Sequence, residues 1–377
     1  MKTAFKLIGG LLIGIIIGLF IALVITVGFT DTTLSDFIRN TNSGLPGIAG
    51  AAVISIVAFL LSIFILILSH EAGHLICGIL SGYSFVSFRI FDLTFIRKDG
   101  KVRIRKFSIA GTGGQCLLTP PEIPLKNLPT AWYNAGGVLA NLILLLIALP
   151  LYLLDLHPYM NVAVTIFVIT DLFLIIINGI PMKVGGIGND AYNMLHLHRN
   201  LTSKRAFAIQ LRTNALIQNG IRPKDMPDEW FEDLDNVDYH NPFEVSIPFM
   251  LASRYIDEEK WDDAYNILSR LYQHKNEIMQ IYANEISCEL AFCAMVTSRI
   301  DEARTILDSG LMKYVEAYKN VMSSKQRLLF CKALFLENDR DKAMDIYRTL
   351  LQNQDRYLMQ GEVKSDIDIM RNISEAA

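Results

Sequence analysis

Long apolar runs fill most of the first 180 residues and are almost absent from the rest. Four of them, 5–29, 48–79, 132–154 and 159–180, are each long enough for one bilayer-spanning helix. Past residue 182 apolar positions recur at helical spacing among charged ones, as in helices that bury a single face. Between the second and third runs, 84–95 and 102–109 are rich in Phe, Ile, Val and Arg with partial alternation, and Lys98-Asp99-Gly100-Lys101 separates them. Asp-Gly between two such runs predicts a β-hairpin. Flexible backbone at Gly111-Thr112-Gly113-Gly114-Gln115 and a turn at Pro120-Pro121 follow it. A basic hairpin of this kind also suits the anionic headgroups of a lipid surface.

A repeat emerges in the polar half. Trp261-Asp-Asp-Ala264-Tyr-Asn-Ile-Leu268, Ile300-Asp-Glu-Ala303-Arg-Thr-Ile-Leu307 and Arg340-Asp-Lys-Ala343-Met-Asp-Ile-Tyr347 begin at intervals of 39 and 40 residues. Each follows an amphipathic segment, around Leu251, Leu290 and Phe330. The small alanine is what a tight helix crossing needs, and the aspartate before it suits the start of a second helix. This array resembles the tetratricopeptide repeat, with a longer period and an incomplete motif. The resemblance implies stacked helical hairpins with a concave surface for a cytosolic peptide or protein partner. A plain helical bundle that only stabilises the rest is the simpler alternative. The segment containing Arg222-Pro-Lys-Asp-Met-Pro-Asp-Glu-Trp230 is broken by prolines and reads as a connector.

Charge orients the membrane part. Lys2 and Lys6 precede the first run, whose length exceeds a signal-peptide core, so it reads as a retained anchor. Gly10, Gly14 and Gly18 would give that anchor a groove for close helix packing. Arg89, Arg97, Lys98, Lys101, Arg103, Arg105 and Lys106 follow the second run. The positive-inside rule then puts the N-terminus, 81–131 and everything after 182 in the cytosol. The net charge of −3 averages two unlike halves. No zinc-finger spacing, RNA-binding signature or concentrated basic patch points to nucleic acid. The five cysteines suggest no disulfide framework.

The chemistry lies at the end of the second run, in His70-Glu71-Ala72-Gly73-His74. Histidines at i and i+4 project from one helix face, where two imidazoles can hold Zn²⁺ while Glu71 serves as a general base. Ionisable groups at bilayer depth cost on the order of several kcal/mol each and are usually functional. A third ligand is needed. Cys77 shares the helical face. Asp171 lies in the fourth run, and Asp190 follows Asn178-Gly-Ile-Pro181 and a glycine-rich turn. Pro181 and Gly185, Gly186 and Gly188 favour Asp190, because they end the helix and let the backbone approach a metal closely. Asn141 and Asn178 are amides in apolar helices that each need a partner and can join the third and fourth spans.

These features together resemble the site-2 protease family of intramembrane zinc metalloproteases. The carriers are the membrane HExxH, the Ala135-Gly136-Gly137-Val138-Leu139-Ala140-Asn141 stretch and the Asn178-x-x-Pro181 turn with its later Asp190. The resemblance covers about residues 48–195 and implies zinc held by His70, His74 and Asp190, with Glu71 as base. It also implies substrate contacts near Asn141, Asn178, Gly113 and Gly114, and a sheet edge that pairs with an unwound substrate. In many members the aspartate stands closer to the proline and precedes a glycine; here the connection is longer and Ala191 follows.

The expected architecture is a polytopic α-helical membrane protein with a small membrane-associated β-hairpin or sheet and a C-terminal all-α helical-repeat domain. Its parts are an anchor and external loop at 1–46, a protease-like core at 47–195, a connector at 196–245 and a tetratricopeptide-like cytosolic domain at 246–377. The expected activity is cleavage of single-span proteins or signal-peptide-like segments in or near the bilayer, in a bacterial plasma membrane. A membrane-anchored scaffold with a vestigial metal site is the alternative, against which the intact Glu71 argues.

Overall fold

A computed structural model describes residues 44–98, 101–106, 113–152, 154, 158–184, 186–234 and 236–376. The proposed anchor with its three glycines and the Asp99-Gly100 dipeptide lie outside the described residues. The chain divides into two compact units, one holding 44–73 and 136–180 and the other 74–135 and 181–376.

The first unit is built from apolar helices. Helix α1 spans Gly44–Leu80 and continues into the second unit; α2 spans Thr130–Tyr152 and α3 Pro158–Gly179. Within the described residues three stretches, Val53–Leu80, Leu125–Leu151 and Met160–Gly179, are long and apolar enough to cross a membrane. Leu60, Leu61, Ile143, Ile147 and Phe173 are exposed along them, the inverse of a water-soluble helix. Leu145, Ala148 and Val168 form a small buried cluster. The hydroxyls of Ser62, Thr165 and Thr170 donate to carbonyls four residues back in their own helices, so none needs water. Gly73 meets Gly136 so closely that a Cβ there would stand 2.1 Å from the Gly136 carbonyl oxygen. Helix α3 stops at Gly179, two residues before Pro181, as a proline stop signal predicts.

The second unit begins with a four-stranded antiparallel sheet in the order β3-β2-β1-β4, formed by β1 (Ser84–Ile90), β2 (Leu93–Lys98), β3 (Lys101–Lys106) and β4 (Gly114–Thr119). Pairing of Lys98 with Lys101 closes the expected hairpin. The sheet has two strands more than that hairpin. The run 84–95 breaks at Phe91, which takes φ 52, and Gly114–Thr119 pairs with β1 instead of forming a flexible loop. Buried Arg89 holds both features, donating from Nη1 to the Phe91 carbonyl at 2.9 Å and from Nη2 to the Gly114 carbonyl at 3.3 Å. A side chain bridging residues 25 positions apart leaves no trace in local alternation.

Beyond the two-residue strands β5 (Lys183–Val184) and β6 (Ile187–Gly188), the chain is helical: α4 (Asp190–Arg199), α5 (Leu201–Gln218), α6 (Pro242–Asp257), α7 (Trp261–Gln273), α8 (Gln280–Val296), α9 (Ile300–Ile306), α10 (Ser309–Tyr318), α11 (Ser323–Cys331), α12 (Arg340–Asn353) and α13 (Gln360–Ala376). The repeat motifs open α7, α9 and α12. Ala264, Ala303 and Ala343 are fully buried, as a close crossing requires. Two residues before each motif the backbone turns left-handed, at Glu259, Ser298 and Asn338. None of these is glycine and only Asn338 favours that conformation, so sequence punctuation does not reveal the first two turns. None of the motif aspartates is itself an N-cap, and the one side-chain cap comes from Asp339, just before the third motif. Asp339 accepts from Lys342 N at 2.9 Å, whereas Lys260 and Arg299 at the other two starts make no side-chain cap. Asp262 and Asp301 sit in the first turn, where they favour the helix through its dipole.

The first helices of the hairpins, α6, α8 and α11, pack side by side, with α7, α9 and α12 outside them. Helix α5, read from sequence as part of a connector, packs on α6 and on the last helix α13, and it also packs on β4. Val86 and Leu117 of the sheet bury against Ala215 and Leu211, and Ser87 Oγ donates to Gln218 Oε1 at 3.1 Å. Arg222 ties the proline-rich segment into the array through Asp257 at 2.5 Å and Asp368 at 2.6 Å. Among the described residues the helical hairpins and the sheet thus pack through α5.

The return of α13 to α5 depends on Gly361, where a Cβ would lie 2.1 Å from the Ile221 carbonyl oxygen. Gly361→Ala is expected to cost about 1–3 kcal/mol through overpacking. A lowered thermal transition of the detergent-solubilised chain checks this, and an unchanged transition would contradict it.

Candidate metal centre

Helix α1 carries His70 and His74 one turn apart on the same face. The buried His74 places Nδ1 2.7 Å from the carbonyl oxygen of Tyr133. Only a donor satisfies that contact, so Nδ1 carries a proton and Nε2 is the nitrogen turned towards a metal. Tyr133 is itself held firmly. Its hydroxyl donates to the Cys116 carbonyl at 2.9 Å and its ring stacks on Tyr83, with centroids 5.1 Å apart. Tyr83 follows the apolar helix, and burial pushes its phenol well above the usual range, which keeps it neutral.

Asp190 arrives from the other side, as the first residue of α4. Asn189 caps that helix, its side chain accepting from Tyr192 N at 2.9 Å. The same Oδ1 accepts from Met182 N at 3.2 Å, while Asn189 N donates to the Met182 carbonyl at 3.0 Å. These bonds pinch the segment 182–189 into a closed loop whose strands β5 and β6 pair, with Gly186 at φ 88 in the turn. The extra residues between Pro181 and Asp190 are therefore a built hairpin that delivers the carboxylate. A helix N-terminus also favours a carboxylate in its anionic form.

His74 Nε2 and Asp190 Oδ2 stand 3.4 Å apart. A neutral ring protonated on Nδ1 would turn its Nε2 lone pair to a carboxylate oxygen across that gap, so the pair calls for a positive charge, supplied by a metal ion between them or by a second proton on the ring. Two donors bound to one tetrahedral zinc at about 2.0–2.1 Å lie roughly 3.3–3.4 Å from each other. His70, His74 and Asp190 offer ligand atoms all within 4.8 Å of one another. Neither link depends on how the two units are arranged: α1 runs unbroken from His70 to His74, and the His74–Asp190 contact lies inside the second unit. The donor set fits a divalent metal ion, and two imidazoles with a carboxylate suit zinc.

The other sequence candidates separate clearly. Glu71 follows His70 on α1 and is half-buried. Cys77, also half-buried, stands outside the ligand group. Asp171, the rival ligand, is fully buried and accepts from Asn141 Nδ2 at 3.0 Å, so that pair joins α2 to α3. Asn178 has its partner in its own helix, its Nδ2 donating to the Leu174 carbonyl at 3.1 Å, and among the described residues it joins no second helix. The Gly113 carbonyl accepts from Phe91 N at 2.8 Å, and Gly114 opens the edge strand β4. Sequence reading missed the orienting Tyr133 carbonyl, which carries no side-chain signal. It also missed Asn189, which an N-cap rule applied to Asn189-Asp190 would have found.

Comparison with protein-family models, with curated proteins and with solved structures gives no significant match.

The geometry predicts that His74→Ala and Asp190→Ala each lower zinc content of the purified chain at least about tenfold, whereas Asp171→Asn retains it. Metal analysis by mass spectrometry reads the result. Full occupancy in Asp190→Ala with loss in Asp171→Asn would transfer the third ligand to Asp171.

Proposed function

We propose that this chain is an intramembrane zinc endopeptidase that cuts single-span proteins or signal-peptide-like segments in or near the bilayer. The observation that carries the reading is the pairing of His74 and Asp190 beside His70 and Glu71, at the end of a helix long and apolar enough to span a membrane. The motif resemblance to the site-2 protease family points the same way, and so does the helical array, whose hairpins resemble tetratricopeptide repeats.

In this reading His70, His74 and Asp190 hold zinc, which when bound supplies Lewis acidity to a water and to the scissile carbonyl. Glu71 takes the proton of the attacking water as the carbon–oxygen bond forms. It then delivers that proton to the amine nitrogen as the carbon–nitrogen bond breaks. Tyr133 keeps the His74 ring in one orientation through its carbonyl. Edge strand β4 offers backbone groups to an extended substrate. Such pairing matters because a helical peptide bond is shielded by its own hydrogen bonds. The basic residues after α1 support placing this end of the helix at the cytosolic face, together with the helical array.

Glu71→Gln keeps the size of the side chain and removes its proton acceptor. It should retain zinc while losing hydrolysis of a tagged single-span substrate by at least about a hundredfold. Comparable cleavage by the variant would eliminate the mechanism. Protease-protection assays on sealed vesicles should find the helical array on the cytosolic side; an external array would reverse the orientation.

A further inference from the structure

The inner helices of the array enclose a second chemical environment, unrelated to the metal centre. A cavity of about 240 Å³ opens between α5, α6, α8, α11 and α13. Five carboxylates line it, Asp257, Glu285, Glu289, Glu362 and Asp366, against one guanidinium, Arg327. Four of the five are already matched. Arg327 binds Asp366 at 2.8 Å and also pairs with Glu289. Lys325 binds Glu285 at 2.8 Å, and Arg222 binds Asp257. Half-buried Glu362 makes no hydrogen bond or ion pair among the described residues; five carboxylates thus face three cations, Arg222, Lys325 and Arg327, and Glu362 is the one left unmatched.

Two further groups point to what enters. Thr213 Oγ1 and Arg327 Nε are buried, line the same cavity and have no hydrogen-bond partner among the described residues; both residues are 4 % exposed. Arg327 Nε can only donate, so it calls for an acceptor. Phe249, Met250 and Met322 lie beside the acids and offer apolar cover to an aliphatic stem. A complementary ligand therefore combines a cation on an apolar arm with carbonyl acceptors next to it. A peptide bearing a basic side chain has all three, whereas a free polyamine lacks the acceptors.

We propose that this cavity is a recognition pocket for one basic side chain, lysine or arginine, of an extended peptide, with Glu362 as the carboxylate that receives it. Proton linkage supports the assignment. Burial, with Asp366, Glu285 and Glu289 nearby, pushes the Glu362 carboxyl up to about 8, opposed by Lys325. The charged groups facing it are Asp257 from α6, Glu285 and Glu289 from α8, Lys325 and Arg327 from α11 and Asp366 from α13. A carboxyl raised in this way is neutral below about pH 8 and ionised above it. A cationic side chain binds the ionised form, so affinity rises from pH 6 towards pH 8.5.

The test uses the intact chain in detergent micelles and a seven-residue peptide, acetylated and amidated, with one central lysine among alanine and glycine. Its counterpart carries norleucine in place of lysine. Calorimetry should show at least about tenfold tighter binding of the lysine peptide, as expected for a charge-assisted hydrogen bond in a desolvated site. Glu362→Gln should abolish that preference and flatten its pH dependence, with zinc content unchanged. Equal binding of the two peptides by the unaltered chain, or no binding of either, overturns the proposal without recourse to any variant. A preference that survives Glu362→Gln also overturns it, and spermidine binding more tightly than the lysine peptide would transfer the site to free polyamines.

Discussion

The contact between Gly73 and Gly136 governs the geometry around the candidate metal centre. Where α1 and α2 cross, a single methyl group at position 73 would lie 2.1 Å from the Gly136 carbonyl. The next residue along α1 is His74, and one turn before Gly136 on α2 is Tyr133, whose carbonyl fixes the His74 ring. The backbone separation at the glycine crossing is thus handed on, within one helical turn, to the hydrogen bond that chooses the histidine tautomer. Gly73, between the motif's glutamate and second histidine, is consequently not a neutral spacer. Gly73 is there because a helix must come that close, and a larger residue would shift the imidazole that depends on it.

Much of this was legible in the sequence because it follows short-range rules. Apolar length marked the three described membrane-competent helices, Pro181 marked the end of α3, and the spacing of Ala264, Ala303 and Ala343 marked the helical hairpins. The ligand group was legible because His70 and His74 are four residues apart and Pro181 with three glycines announced a turn before Asp190. What stayed hidden depends on contacts distant in sequence. Arg89 converts one expected strand into two by satisfying carbonyls on either side of it. The left-handed turns at Glu259 and Ser298 fall on residues that do not favour that conformation, and only the third, at Asn338, falls on one that does. Asn178 found its partner in its own helix, because a carbonyl four residues back is always within reach of a helical amide.

The place of α5 changes how the C-terminal half relates to the sheet. The sequence reads 196–245 as a connector broken by prolines. Instead α5 is shared, one side packing on β4 and another on α6 and α13. Ser87 and Gln218, and Arg212 with the Pro121 carbonyl at 2.8 Å, bind the same seam. Occupancy of the acidic cavity, whose wall includes Gln210, Thr213 and Asn214 of α5, therefore acts on a helix that also supports the strand edge.

The closed loop at 182–189 bears on the life of the chain before it is complete. A nascent polypeptide that has emerged only through α3 possesses both imidazoles but not Asp190 or the Asn189 cap that holds it. The binding constellation comes into being only when the loop has closed and α4 has begun to wind. Synthesis of the apolar helices thus passes in a state with two of the three donors, and in the proposed reading hydrolytic competence follows those helices. Its sequence order withholds the chemistry from the half-built molecule.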